Sequence, residues 1–225
     1  MTSATTFALI RHGQTDWNAA MRIQGLSDIP LNDTGRAQAA EAVGHLARYD
    51  WDFIVSSTLS RAAETADLIA DGLGLTVIRR IPEIVERNYG PAEGLSAGAE
   101  LDALRIDGGP TGNGGFRGAE PEADVAARGL EALRELAAAH PGARIIVVSH
   151  GTLIRLTLMS ALGEFVGTIT NAALTVVRLD DAGWTPEIIN GEVLASPDAL
   201  DDALELDDAN DLDDDLDALD AVASH

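Results

Sequence analysis

Arg11, His12 and Gly13 follow directly on the apolar run Phe7–Ile10, and Ser149, His150 and Gly151 follow in the same way on Ile145–Val148. A third apolar run, Phe53–Val55, passes into Ser56-Ser57-Thr58-Leu59-Ser60-Arg61. Short β-branched runs of this kind read as buried strands. Two imidazoles and two guanidiniums are therefore delivered at strand ends. Guanidinium forks match the oxygens of a tetrahedral oxyanion such as phosphate. An imidazole among them is disfavoured as a further cation, so its pKa falls and it stays a neutral nucleophile near pH 7. The glycine after each histidine is expected to let the backbone approach a ligand.

The strands that position these groups are expected at Thr6–Ile10, Phe53–Val55, Thr76–Ile78 and Arg144–Val148. Helical patterns lie between them. One opens at Asp33-Thr34 and reaches about Arg48; a second is capped by Ser60 and runs to Asp71. A third has Pro121 in its first turn and continues to about Ala139; a fourth follows Gly151 and ends near Leu162-Gly163. Leu174–Leu179 and Thr185–Ile189 form two further strands joined by a turn at Asp180–Gly183. The alternation predicts an α/β fold, a three-layer α/β/α sandwich around a mostly parallel central sheet. In such sheets the carboxyl ends of the strands share one edge, which gathers Arg11, His12, Arg61 and His150. Residues 94–119 are glycine-rich and predict a loop or lid with at most one short helix.

The chain has 225 residues and no cysteine, and all 15 of its Lys and Arg positions are arginine. Disulfides and thiolate metal sites are excluded, which suits a cytoplasmic protein. No apolar run approaches a membrane span, and nothing before Arg11 resembles a secretory signal. The net charge is −22, but residues 196–225 hold 12 acidic side chains and no basic one. The first 195 residues keep 25 acidic against 15 basic groups, a field that disfavours nucleic acid and anionic membranes. The organisation expected is a domain over 1–195 and an acidic, disordered tail over 196–225. A homodimer is compatible with the sequence, and a partner for the tail is not identified by it.

Five stretches in order make a family resemblance. "LIRHGQTDWN" resembles the signature of the histidine phosphatase superfamily, which includes the phosphoglycerate mutase-like proteins. "SSTLSRAAETA" from Ser56, "ERNYGPAEG" from Glu86, "GAEPEADVAAR" from Gly118 and "VVSHGTLIR" from Val147 resemble its later motifs. The resemblance implies that His12 attacks phosphorus and becomes phosphohistidine. It implies that Arg11, Arg61 and His150 bind the phosphoryl oxygens, with a hydrogen bond from Asn18 and a pocket wall closed by Gln24 and Gly25. Glu86 would exchange protons with the leaving oxygen and the attacking water. No metal and no cofactor is needed, because arginines supply the positive charge.

The activity implied is a phosphatase acting on a small phosphorylated metabolite. The alternatives are a cofactor-dependent phosphoglycerate mutase and a non-catalytic phospho-ligand-binding or scaffold protein. Glu83 and Glu93 compete with Glu86 as proton donor, and Glu120 reads equally as a first-turn helix residue. His45 and His140 read as solvated. A metal held by His12, His150 and Glu86 is disfavoured by Arg11 beside it.

Overall fold

The computed structural model describes residues 4–106 and 115–194. The acidic stretch 196–225 and most of the glycine run at 108–115 lie outside the described residues. A seven-stranded sheet runs in the order β3-β2-β6-β1-β7-β8-β9. Its strands are β1 (Thr5–Arg11), β2 (Phe53–Ser57), β3 (Val77–Ile81), β6 (Arg144–Ser149), β7 (Leu174–Asp180), β8 (Gly183–Ile189) and β9 (Glu192–Val193). The pairings β3·β2, β2·β6 and β6·β1 are parallel, whereas β1·β7, β7·β8 and β8·β9 are antiparallel. The sheet is therefore mixed rather than mostly parallel: β7 runs against β1, and tight turns lead into β8 and β9.

Side chains of β1 alternate between two cores. Phe7 and Leu9 join Ile145, Val147 and the apolar faces of α5 (Glu122–Ala139) and α6 (Gly151–Leu162). Ala8 and Ile10 join Ile54, Ile146, Val148 and the faces of α2 (Asp33–Leu46) and α3 (Ser60–Leu73). Helices thus cover both faces, and the central strands are buried on each side, which is why they read as unbroken apolar runs. β3 departs from the expectation of a buried strand. It lies at the sheet edge, with Ile78, Arg79 and Arg80 exposed and Arg80 paired to Asp67 at 2.9 Å.

Several local readings also change. Ser60 does not cap α3; the N-cap is Leu59, and the carboxylate of Asp28 accepts from Ser60 N at 2.8 Å and Ser60 Oγ at 2.7 Å instead. Pro121 is the N-cap of α5 rather than part of its first turn, and α2 stops at Leu46. The segment after residue 94 holds α4 (Ala99–Leu104) and a two-stranded ladder of β4 (Arg105–Ile106) with β5 (Gly115–Phe116).

The glycine of the first motif serves packing. A Cβ on Gly13 would stand 2.3 Å from the Gly35 carbonyl oxygen, and one on Gly35 would stand 2.1 Å from the oxygen of Gln14. The His12 loop and the first turn of α2 touch backbone to backbone, so Gly13 makes room for α2, not for a ligand. Gly44, in the same helix, has nothing within 4 Å of its missing Cβ. Gly44→Ala should therefore raise stability by about 1 kcal/mol through helix propensity. Gly35→Ala gains the same propensity yet should lose about 2 kcal/mol net, because overpacking against backbone dominates. Urea unfolding of the two variants checks the opposite signs.

Candidate active site

His12 leaves the end of β1 buried, with 3% exposure. Its Nδ1 lies 2.7 Å from the carbonyl oxygen of Gly13. A carbonyl only accepts, so Nδ1 carries the hydrogen and Nε2 presents its lone pair. Arg61 Nε donates to that Nε2 at 3.1 Å, which is consistent with the same tautomer. Burial is the largest cause that pushes the His12 pKa well below its usual value, followed by the charges of Arg61 and Arg11.

Arg61 is completely buried in the first turn of α3, and among the described residues its hydrogen-bond partners are His12 and two backbone carbonyls rather than a carboxylate. Its Nη2 and Nη1 donate to the carbonyls of Gly25 at 2.7 Å and Ser27 at 2.9 Å. Burial lowers its pKa to about 10, against the charges of Glu86, Asp28 and Glu93, so it remains a cation at neutral pH. Gly25 cannot carry a Cβ, which would stand 2.3 Å from Glu93 Oε1 and 2.6 Å from the Arg87 oxygen. Glu93 is a brace for this loop: it accepts from Leu26 N at 2.8 Å and Ser27 N at 2.9 Å.

His150 leaves the end of β6, fully buried, with its ring centroid 5.2 Å from that of His12. Its Nε2 meets Ser57 Oγ at 2.8 Å, while Nδ1 has no partner among the described residues. Burial, then the charges of Arg61, His12 and Arg11, depresses its pKa as well. Arg11 donates from Nη1 to the Ile169 carbonyl at 2.7 Å, leaving its buried Nε unspent. Gly151 clears the Arg11 side chain, whose Cδ would lie 3.2 Å from a Cβ there.

A chain of hydrogen bonds fixes a further donor. Thr15 N donates to Asn18 Oδ1 at 3.2 Å, which assigns Nδ2 of Asn18 as its amide nitrogen. Nδ2 donates to Gln24 Oε1 at 3.0 Å, so the buried Nε2 of Gln24 is an NH₂ group, and it has no partner among the described residues. Unspent donors on Arg11 and Gln24 thus accompany the neutral nucleophile, and His150 Nδ1 joins them as a donor when Ser57 Oγ donates to its Nε2. Buried donors left unpaired are costly unless an acceptor is meant for them, and an oxyanion supplies several acceptors at once.

Glu86 is 6% exposed and sits at the N-terminus of α6. Its Oε2 accepts from Thr152 N at 3.1 Å, and its Oε1 from Leu153 N at 3.1 Å and Arg87 N at 2.8 Å. The loop that carries it is clamped by Arg128 of α5, which donates to the carbonyls of Glu83 and Val85, each at 2.7 Å, and of Glu86 at 3.1 Å. Glu120 in turn holds Arg128 at 2.9 Å and precedes α5 rather than belonging to its first turn. Glu83 is exposed. His45 is exposed, while His140 is half-buried and packs edge-on to Phe53 with centroids 4.7 Å apart. Among the described residues no three His, Asp or Glu side chains gather as a metal site.

A cavity of about 310 Å³ is lined by Arg11, Asn18, Gln24 and Glu86. His12, Arg61 and His150 are buried beside its wall rather than lining it. Arg22, Tyr89, Thr152 and Arg155 are among the lining groups that carry no role in the sequence reading. Arg155 was findable, because it lies four residues after Gly151 on one helix face. Asn171, whose Nδ2 holds the His12 carbonyl at 2.9 Å, belongs to no local pattern.

A family profile described as the histidine phosphatase superfamily (branch 1) matches residues 7–191. The chain belongs to this family. Phosphatase PhoE of Bacillus subtilis, itself uncharacterized, is 33% identical over 184 residues, covering 80% of this chain and 91% of PhoE. A metal-independent phosphoserine phosphatase of Arabidopsis thaliana is 34% identical over 196 residues, with 80% and 79% covered. The probable phosphoglycerate mutase GpmB of Erwinia tasmaniensis is 34% identical over 161 residues, with 69% and 74% covered. Among solved structures, a mycobacterial glucosyl-3-phosphoglycerate phosphatase superposes with a TM-score of 0.70 at 29% identity, covering 83% of this chain and 99% of that one. Also among the described residues, no helix is long and apolar enough to cross a membrane.

The depressed histidines make stability depend on pH. His12 and His150 stay neutral in the fold, whereas in the unfolded chain they take up protons below about pH 6.5. The unfolded state then binds more protons, so stability is full above that pH and falls as pH drops through it. Between pH 7.0 and 5.5 each should cost about 1.2 kcal/mol. His150→Gln should shrink the loss seen by urea unfolding by about that amount; an unchanged slope would show that His150 titrates in the fold.

Proposed function

We propose that the protein is a phosphatase that hydrolyses a small phosphate monoester through a phosphohistidine at His12, without a metal. The observation that carries this reading is the tautomer of His12: Gly13 takes the Nδ1 hydrogen, and Nε2 meets Arg61 among unspent donors. Nε2 attacks phosphorus in line, and the N–P bond forms as the bond to the ester oxygen breaks. Arg61 Nε–H moves its hydrogen bond from Nε2 to a phosphoryl oxygen, and Arg11, Gln24 and His150 take the others. Glu86 in its acid form protonates the leaving alkoxide. It then removes a proton from the attacking water, the N–P bond breaks, and its electron pair returns to Nε2. The arginines supply the charge that a metal supplies in other phosphoryl-transfer sites. The names of the phosphatase relatives support the same direction. The catalytic domain of this reading spans 1–195.

The second reading, a phosphoglycerate mutase, is favoured by the GpmB relative and by the additional cations Arg22 and Arg155 at the cavity. Arg105 and Arg117 of the segment after the acid/base motif do not strengthen it, since they bond Asp102 and the Ala103 carbonyl. Phosphate release from p-nitrophenyl phosphate should persist in excess EDTA and fall by about 10³-fold or more in His12→Ala. Hydrolysis of 3-phosphoglycerate should outpace its conversion to 2-phosphoglycerate, even with 2,3-bisphosphoglycerate supplied. Full activity in His12→Ala, or loss on chelation restored by zinc or magnesium, would end the proposal. Isomerisation far faster than hydrolysis would favour the mutase.

A further inference from the structure

Ser57 ends β2, and His150 follows directly on β6, the parallel neighbour of β2. Both residues are fully buried, so an unpaired hydrogen or lone pair on either is costly. Ser57 Oγ has two contacts among the described residues. Leu59 N donates to it at 3.3 Å, and His150 Nε2 lies 2.8 Å away. The ring of His150 is kept neutral, first by burial and then by the charges of Arg61, His12 and Arg11, so it carries one hydrogen. That hydrogen has two places to sit. On Nε2 it is donated to Ser57, and then the hydroxyl hydrogen of Ser57 and the lone pair of Nδ1 are both left without a partner among the described residues. On Nδ1 it lets Ser57 donate to Nε2, and then the Nδ1 hydrogen alone is left over. The second arrangement leaves fewer groups unpaired.

The geometry points to Ser57 as the positioning residue that sets the tautomer of His150: its hydroxyl donates to Nε2, fixes the ring hydrogen on Nδ1, and so makes His150 a neutral donor to an oxyanion. That the oxyanion is a phosphoryl group rests on the phosphatase reading. With Nε2 spent on Ser57, a hydrogen bond from this ring to the anion comes from Nδ1. One tautomer then serves opposite ends in the two histidines. His12 spends its Nδ1 hydrogen on Gly13 and offers the Nε2 lone pair; His150 spends its Nε2 lone pair on Ser57 and offers the Nδ1 hydrogen. The reversed tautomer of His150 would set a lone pair against an anion, which repels it. A hydroxyl suits the task because it carries no charge, whereas a carboxylate in its place would favour the imidazolium. Asn18 of the short helix α1 (Asp16–Ala19) does comparable work for Gln24: its Nδ2 engages Gln24 Oε1 and leaves the amide nitrogen as the donor.

The test reads the ring nitrogens directly, on the full chain at neutral pH. Histidine labelled with nitrogen-15 in the ring gives long-range proton–nitrogen spectra that tell a protonated ring nitrogen from a bare one, and His150 is assigned by its absence from the His150→Gln spectrum. In the wild-type chain Nδ1 of His150 should carry the hydrogen and Nε2 should be bare. In Ser57→Ala the His150 signals should move to the Nε2-protonated form or to an average of the two, while those of His12 stay in place. Ser57→Thr keeps a hydroxyl and should restore the wild-type pattern. Vanadate, used as the oxyanion probe, should bind Ser57→Ala about 10-fold more weakly, the loss expected for one hydrogen bond to a charged acceptor. The hydrogen on Nε2 in the wild-type chain would overturn the inference even if neither variant folded. An unchanged His150 pattern in Ser57→Ala, a folded Ser57→Thr chain that keeps the Ser57→Ala pattern, or vanadate binding that is absent in the wild type or unaltered in Ser57→Ala would also overturn it. If the tautomers and vanadate behave as expected and the wild-type chain releases no phosphate from monoesters, it is the phosphatase reading that fails.

Discussion

The hydrogen bond from His12 Nδ1 to the carbonyl of its own neighbour, Gly13, is the contact on which the rest of the site depends. Strands, helices and arginines can bring an imidazole to the edge of a sheet, but this bond decides which nitrogen is free. It also resists the depression of the His12 pKa, yet burial and two guanidiniums outweigh it. The outcome is a neutral imidazole with one oriented lone pair, and no carboxylate is needed to hold it. The geometry of the loop follows from the same place. Gly13 donates its N–H to Thr65 Oγ1 at 3.1 Å and rests on the Gly35 backbone, so the carbonyl is held from two sides.

Cations buried near the nucleophile would lose their value if acids neutralised them. Arg61 and Arg11 are solvated by backbone carbonyls of Gly25, Ser27 and Ile169, which accept hydrogen bonds without bringing a full charge. The acids close by serve the backbone instead. Glu93 braces the Gly25 loop, Asp28 sits at the start of α3, and Glu86 is held by the first amides of α6. A helix N-terminus favours a carboxylate, so the dipole of α6 and the motif loop together set where Glu86 stands. Positive potential is thereby kept in one place on a chain that is acidic elsewhere.

Much of this was legible in the residues. The runs before His12 and His150 are buried on both faces, so their apolar continuity announced β1 and β6 and the edge where the histidines emerge. The direction of β7 was not legible, since a strand's own residues do not state whether its neighbour runs with it or against it. β3 misled because Val77 and Ile78 carry strand propensity in an edge position, where pairing rather than burial sustains them. Gly13 looked like a ligand-facing glycine because its steric partner, Gly35, lies 22 residues away and only the fold brings them together. Arg22 and Asn171 share that difficulty: each side chain is unremarkable in its own segment, and only the fold brings the one to the cavity and the other to the His12 carbonyl.

The central claim is that Nε2 of His12, and not Nδ1, takes the phosphoryl group. Brief incubation of the His150→Ala protein with a monoester, followed by alkaline quenching, should trap a base-stable, acid-labile phosphoenzyme. Phosphorus-31 NMR and fragmentation of the His12 peptide would then report the isomer. Phosphate on Nε2 of His12 is the result predicted; phosphate on Nδ1, on another residue, or on none would contradict the assignment.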